Sequence, residues 1–191
     1  MINIIANLIV LACVFAIFMA VLVDFVEFHH KAGVKKNKKS SVETGGMILF
    51  FLGFYSLLRF DIGRFDISSS LFQYFFIMLG LLLLIFGCYI NIRGRFFLGK
   101  NWANQIKIYQ DHKFISSGPY RFVRHPLYAS IIWMFFGACL VYCNYLTLLS
   151  TIFIFIPFMY LRAKQEEKLL SQEFAEYKNY QKKVGLFFPK F

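Results

Sequence analysis

Between His112 and Tyr128 the chain reads H-K-F-I-S-S-G-P-Y-R-F-V-R-H-P-L-Y, and its chemistry concentrates here. Seventeen residues hold two histidines, three basic side chains, two tyrosines, two prolines and a glycine. Gly118-Pro119 is a turn signal, and Pro126 fits the first turn of a helix, where a missing N–H costs nothing. A second polar group lies downstream, where Arg162 precedes Glu166 and Glu167. Arg162 and Glu166 are one helical turn apart and therefore neighbours on one face. An arginine and two carboxylates beside lipid are costly unless paired or hydrated, so they mark a candidate site. Spacing alone leaves two accounts open: a ligand site, or a solvated helix end in which Glu166 and Glu167 balance Arg162 and Lys164. Arg124-His125-Pro126 is open in the same way, since it also fits an interfacial anchor followed by a helix start.

The elements that must position these residues are apolar. Of 191 residues 59% are hydrophobic and 16% charged, against about 25% charged in soluble domains. Ile2 to Val23 carries no charge and is long enough for roughly 30 Å of hydrocarbon. It lacks the basic start and A-x-A-like end of a signal peptide, so it reads as a retained span. Thr44 to Leu58 is a shorter run closed by Arg59, and Ile67 to Ile92 is the clearest span. Pro126 to Leu161 is uncharged throughout and too long for one crossing, so Asn144 at its midpoint marks the turn of a helical hairpin. Pro157 is expected to kink the second arm or to be tolerated through neighbouring packing. The fold class is all-α: a single domain, 1–191, forming a polytopic membrane bundle of about five helices. A polar loop and a C-terminal amphipathic helix complete it. On that helix Ala163, Glu166, Glu167, Leu170, Phe174 and Tyr177 share one face.

The net charge of +11 is gathered in the connections. The 31–39 linker, the 93–124 segment and the tail after Arg162 are basic, whereas the Asp61–Asp66 loop and the Asn144 turn are not. The pattern fits an anionic leaflet better than nucleic acid. It puts the N-terminus outside, with the C-terminus and the polar loop in the cytoplasm. His29 and His30 read as interfacial residues. Cys13, Cys88, Cys139 and Cys143 lack ligand spacing, so they read as buried free thiols and no metal site is expected.

The string G-P-Y-R-F-V-R-H-P-L-Y resembles the signature of the isoprenylcysteine carboxyl methyltransferase family. Asn101-Trp102 lies upstream in the expected order, and Arg162, Glu166-Glu167, Phe174, Tyr177-x-x-Tyr180 and Pro189 lie downstream. The similarity covers 98–191, with the N-terminal spans of 1–92 outside it. What the resemblance implies is an integral membrane enzyme that uses S-adenosylmethionine to methylate a lipophilic acceptor arriving from the bilayer, such as a prenylated cysteine. Family cofactor contacts carry over to Gln105, to His112, Lys113, Phe114 and Ile115, to Tyr120, to His125, Pro126, Leu127 and Tyr128, and to Glu166. Arg162 matches the substrate-contacting arginine and, with Glu167, makes up the catalytic assignment. Departures are Ala175, where the family often has glycine, and Lys113-Phe114. Other classes compatible with the motifs are a phospholipid N-methyltransferase, a nicotinamide-dependent membrane reductase and a non-catalytic lipid-binding protein. The first would need a base to deprotonate its amine.

Overall fold

The computed structural model describes residues 2–28, 34–38, 41–101, 106–109 and 113–190. Helices α1 (Ile2–Phe28), α2 (Ser41–Arg59), α3 (Ser70–Leu98) and α4 (Pro126–Val141) are followed by α5 (Tyr145–Ser150). A π turn over Thr151–Phe155 joins α5 without a break to α6 (Ile156–Glu173), and α7 (Tyr177–Lys183) follows. A feature the periodicity did not announce is a small antiparallel ribbon of β1 (Val34–Lys38) and β2 (Ile106–Tyr109).

Among the described residues, three helical stretches are long and apolar enough to cross a membrane: Ile4–Asp24, Ser70–Leu98 and Tyr145–Glu173. The other two runs, Gly45–Arg59 and Pro126–Val141, are shorter apolar helices. The outer faces of the three long stretches expose residues such as Leu11, Phe15, Phe18, Phe72, Leu82 and Phe153, a surface suited to lipid tails. The chain is an integral, multi-pass membrane protein.

Packing inside the bundle rests on small residues and rings. On α3, Gly80, Gly87 and Gly94 recur every seven residues and face α4. A Cβ at Gly80 would lie 2.6 Å from the Gly137 carbonyl, and one at Gly87 would lie 2.7 Å from the Ser130 carbonyl. Such close backbone approach is what holds helices together where lipid offers no hydrophobic contrast. Around the α2–α4–α6 contact, Phe135 packs against Phe54 at 4.5 Å and Phe155 at 4.6 Å between ring centroids. Ala6, Ile77, Leu81, Leu84 and Val141 join α1 to α3 and α4.

One end of the bundle is closed by the two weakly charged connections. Tyr145 N donates to Gly63 O at 3.0 Å and Phe65 N to Cys143 O at 2.9 Å. Asn144 turns the hairpin as expected. Its Oδ1 accepts from Thr147 N at 3.0 Å, capping α5, while Nδ2 donates to Ile62 O at 3.0 Å. The four cysteines are buried and unpaired.

Pro157 stands in the first turn of α6, directly after the π turn. Proline removes one N–H and crowds the carbonyl four residues back, and a wider turn relieves both. One expectation needs correction: the amphipathic helix stops earlier than its periodicity implied. Phe174 takes an extended conformation (φ −118°, ψ 114°), so Phe174 and Tyr177 leave the shared face. Phe174 instead packs against Phe114, at 5.9 Å between rings.

Candidate functional site

At the opposite end, the 113–125 segment is held from both sides before it enters α4. Asn101 grips Lys113 through two hydrogen bonds, Nδ2 to Lys113 O at 3.0 Å and Lys113 N to Oδ1 at 3.2 Å. Phe114 packs against Phe174, Tyr177 and Tyr180, and Ile115 is half-buried. Gly118 takes φ +59° under the Phe97 ring, where a Cβ would lie 2.6 Å from ring carbon. Tyr120 is buried, and its carbonyl accepts the Tyr180 hydroxyl. Burial pushes the phenols of Tyr120, Tyr177 and Tyr180 up, so all three stay protonated donors at neutral pH. Past α7 the chain returns to this segment. Arg124 N donates to Gly185 O at 2.8 Å and His125 N to Leu186 O at 3.1 Å.

Arg124 is not the interfacial anchor its position suggested. Its Nε donates to Glu167 Oε1 at 2.5 Å, and its Nη1 reaches the carbonyls of Gln181 and Val184. Glu167 is buried, with Oε2 3.5 Å from Lys164 Nζ. It faces Arg124, whose remaining contacts are backbone carbonyls.

His125 stands at the N-cap of α4, only 5% exposed. Its ring stacks on Tyr128, with centroids 5.4 Å apart and planes at 5°. Nδ1 lies 3.5 Å from Glu166 Oε2 and Nε2 lies 3.5 Å from Glu167 Oε1. Nε2 makes no hydrogen bond among the described residues. Burial alone would depress the imidazole pKa, but the two carboxylates outweigh it and raise it above the ordinary 6.5. Pro126 is buried in the first turn of α4 and Leu127 is half-buried.

The Tyr128 hydroxyl is the junction. It donates to Glu166 Oε2 at 2.9 Å and accepts from Arg162 Nε at 3.2 Å. The guanidinium carbon sits 5.9 Å from the Tyr128 ring centroid, and Nη1 lies 3.4 Å from Met47 Sδ on α2. Glu166 keeps 34% of its side chain exposed. A cation and an anion thus share one neutral hydroxyl at the end of an apolar bundle. The structure brings together His125, Tyr128, Arg162, Glu166 and Glu167, with Phe114 and Tyr120 in the adjoining wall. Gln105 and His112 lie outside the described residues, as do His29, His30 and Trp102. What sequence reasoning missed is the Arg124–Glu167 pair and the grip of Tyr180 on Tyr120, both contacts between distant segments.

The isoprenylcysteine carboxyl methyltransferase family model matches residues 78–172. The chain is 35% identical over 115 residues to a protein-S-isoprenylcysteine O-methyltransferase of Saccharomyces cerevisiae, an alignment covering 59% of this chain and 48% of the yeast protein. It is 33% identical over 116 residues to probable enzymes of the same name from Oryza sativa subspecies indica and japonica, covering 59% of this chain and 61% of theirs. It therefore spans about half to three fifths of the length of these relatives. The fold is similar to that of a eukaryotic intramembrane Ras methyltransferase, isoprenylcysteine carboxyl methyltransferase, with TM-score 0.58 and 22% identity. That match covers 80% of this chain and 53% of the other. Motif order, family match and fold point the same way: over residues 78–172 the chain matches the isoprenylcysteine carboxyl methyltransferase family.

Proposed function

We propose that the protein is a methyltransferase that uses S-adenosylmethionine to esterify the carboxylate of a prenylated cysteine or a similar lipophilic acid. The observation that carries this reading is the Arg162–Tyr128–Glu166 junction. Its arginine suits an acceptor carboxylate, and its glutamate suits the ammonium of an amino-acid-like methyl donor.

The side chains fit such a donor. Glu166 Oε1 makes no hydrogen bond among the described residues, and neither does the buried Nε2 of its neighbour His125. Glu166 would hold the ammonium, while Tyr128, Tyr120 and the Phe114 segment offer ring faces and backbone groups to the remainder. Gln105 and His112 are proposed to contribute from the same connection. When bound, the donor supplies an electrophilic sulfonium methyl. Everything else falls to the protein, and a carboxylate acceptor needs no general base. Arg162 holds it through planar, two-point donation. Tyr128 and Glu166 keep that guanidinium in place, and the Arg124–Glu167 pair keeps α6 registered against His125. Orientation and exclusion of water are worth up to roughly 7–11 kcal/mol in favourable cases.

The proposed orientation places this end in the cytoplasm and the Asn144 end outside, because lysine and arginine crowd the site end. The lipid tail of the acceptor then lies among the apolar helices while its carboxylate reaches Arg162.

The test is transfer of labelled methyl from S-adenosylmethionine by purified protein. N-acetyl-S-farnesylcysteine, its geranylgeranyl analogue and phosphatidylethanolamine are offered in parallel. Base-labile methyl ester on the prenylcysteines is expected. Methylation of the amine lipid alone, or no transfer by a folded protein, overturns the reading.

A further inference from the structure

A buried polar chain at the same end of the bundle begins in α1, which the family match does not reach. Asp24 Oδ2 accepts from Arg95 Nη1 at 2.7 Å, with both side chains about nine-tenths buried. Arg95 Nε donates to Asn91 Oδ1 at 2.8 Å, one turn earlier on α3. Asn91 is wholly buried, and its Nδ2 donates across to α4, to Ser130 Oγ at 2.8 Å and Leu127 O at 3.4 Å. Ser130 Oγ in turn donates to Leu127 O at 2.8 Å.

The chain has one direction. Arginine can only donate, so Asn91 must turn its oxygen toward Arg95 and its amide nitrogen toward α4. Asp24 accepts only, and it holds the guanidinium in the pose that makes this demand. The far end converges on the Leu127 carbonyl, while the Leu127 side chain fills the gap left by Gly94, where a Cβ would lie 2.8 Å away. Leu127 is followed by Tyr128, the junction between Arg162 and Glu166.

We infer that Asp24, Arg95 and Asn91 are positioning residues that set the first turn of α4, making α1 a working part of the site. A buried charge pair in a membrane helix is costly to maintain, and a purely apolar contact would hold the helices at least as well. What the polar version adds is a defined orientation at Leu127.

Asn91→Asp keeps an oxygen toward Arg95 but removes both donors to α4. Ser130→Ala removes one acceptor at the far end and serves as the milder second variant. Full-length proteins in detergent would be compared by thermal unfolding, by calorimetric binding of S-adenosylhomocysteine, and by hydrogen exchange of amides 127–131. Cys88→Ala, a buried α3 change outside the polar chain, is the control for plain loss of packing. Asn91→Asp is expected to weaken binding about tenfold and to speed exchange at 127–131. Cys88→Ala should lower the unfolding temperature and leave both unchanged. Only the binding arm rests on the proposed reaction. If the wild-type protein fails to bind S-adenosylhomocysteine, that reading falls, and hydrogen exchange still decides the positioning role. Unchanged exchange and affinity in folded Asn91→Asp and Ser130→Ala, with stability alone reduced, would make the chain a structural pin and overturn the inference.

Discussion

Arg124 Nε meets Glu167 Oε1 at 2.5 Å although the two stand 43 positions apart, and this pair ties the entry of α4 to the buried face of α6. Both side chains are less than a tenth exposed. Removing one partner leaves the other charge buried. Arg124→Ala is therefore expected to destabilise the fold by about 3–5 kcal/mol, more than Lys164→Ala on the exposed side of the same carboxylate. Denaturant titration in mixed micelles checks the order, and equal effects of the two substitutions would refute it.

Glu166 is only partly covered, so its replacement should spare the fold. Glu166→Gln retains an oxygen for the Tyr128 hydroxyl but loses the charge. Loss of one charge-assisted hydrogen bond predicts S-adenosylhomocysteine binding weaker by about 1.5–3 kcal/mol. Calorimetry on the folded variant is the measurement, and wild-type affinity would remove Glu166 from the donor site.

Arg162→Lys separates acceptor from donor. Lysine keeps the positive charge but cannot give one donor to Tyr128 and a planar pair to a carboxylate. Methyl transfer to N-acetyl-S-farnesylcysteine should fall by about 100-fold or more, with donor affinity held within a few-fold. Full activity would count against carboxylate recognition by Arg162.

His125 binds its proton more tightly in the folded protein than its ordinary pKa of 6.5 implies. The folded state thus holds the extra proton. The stabilisation this brings is complete below 6.5 and is lost as pH rises through the elevated folded value. Unfolding free energies from about pH 5 to about pH 9 should show this decline in the wild type, and His125→Asn should flatten it. A wild-type profile that rises over this range would reverse the sign and dismiss the carboxylate effect on His125.

Much of the site was legible because its parts are local. The turn at Gly118-Pro119, the helix start at Pro126, the hairpin at Asn144 and the one-turn spacing of Arg162 and Glu166 each need only neighbouring residues. Arg124 looked like an interfacial anchor because its partner lies in another helix, and no periodicity encodes that meeting. Asp24 follows the first uncharged run, and its burial depends on α3 lying beside α1. Asn91 lies inside the uncharged Ile67–Ile92 run, and its partners on α4 come from a distant part of the chain. Phe174 followed the helical rhythm yet left the helix, because the ring surface around Phe114 offers it more than another turn would.

The π turn before Pro157 also solves a problem of phase. Thr147, Thr151, Phe155, Met159, Ala163 and Glu167 are all buried, one every four residues, along a single continuous helical path. In an unbroken α-helix each four-residue step overshoots a full turn by about 40°, so five steps would swing Glu167 about 200° from Thr147. One residue inserted at the π turn takes back roughly 100° of that drift. Without it, a helix that buries Phe155 and Met159 among the rings would carry Arg162, Glu166 and Glu167 well around its axis, away from Tyr128 and Arg124. The bulge acts as a rotational spacer, allowing one rod to serve an oily core in its first half and a charged site in its second.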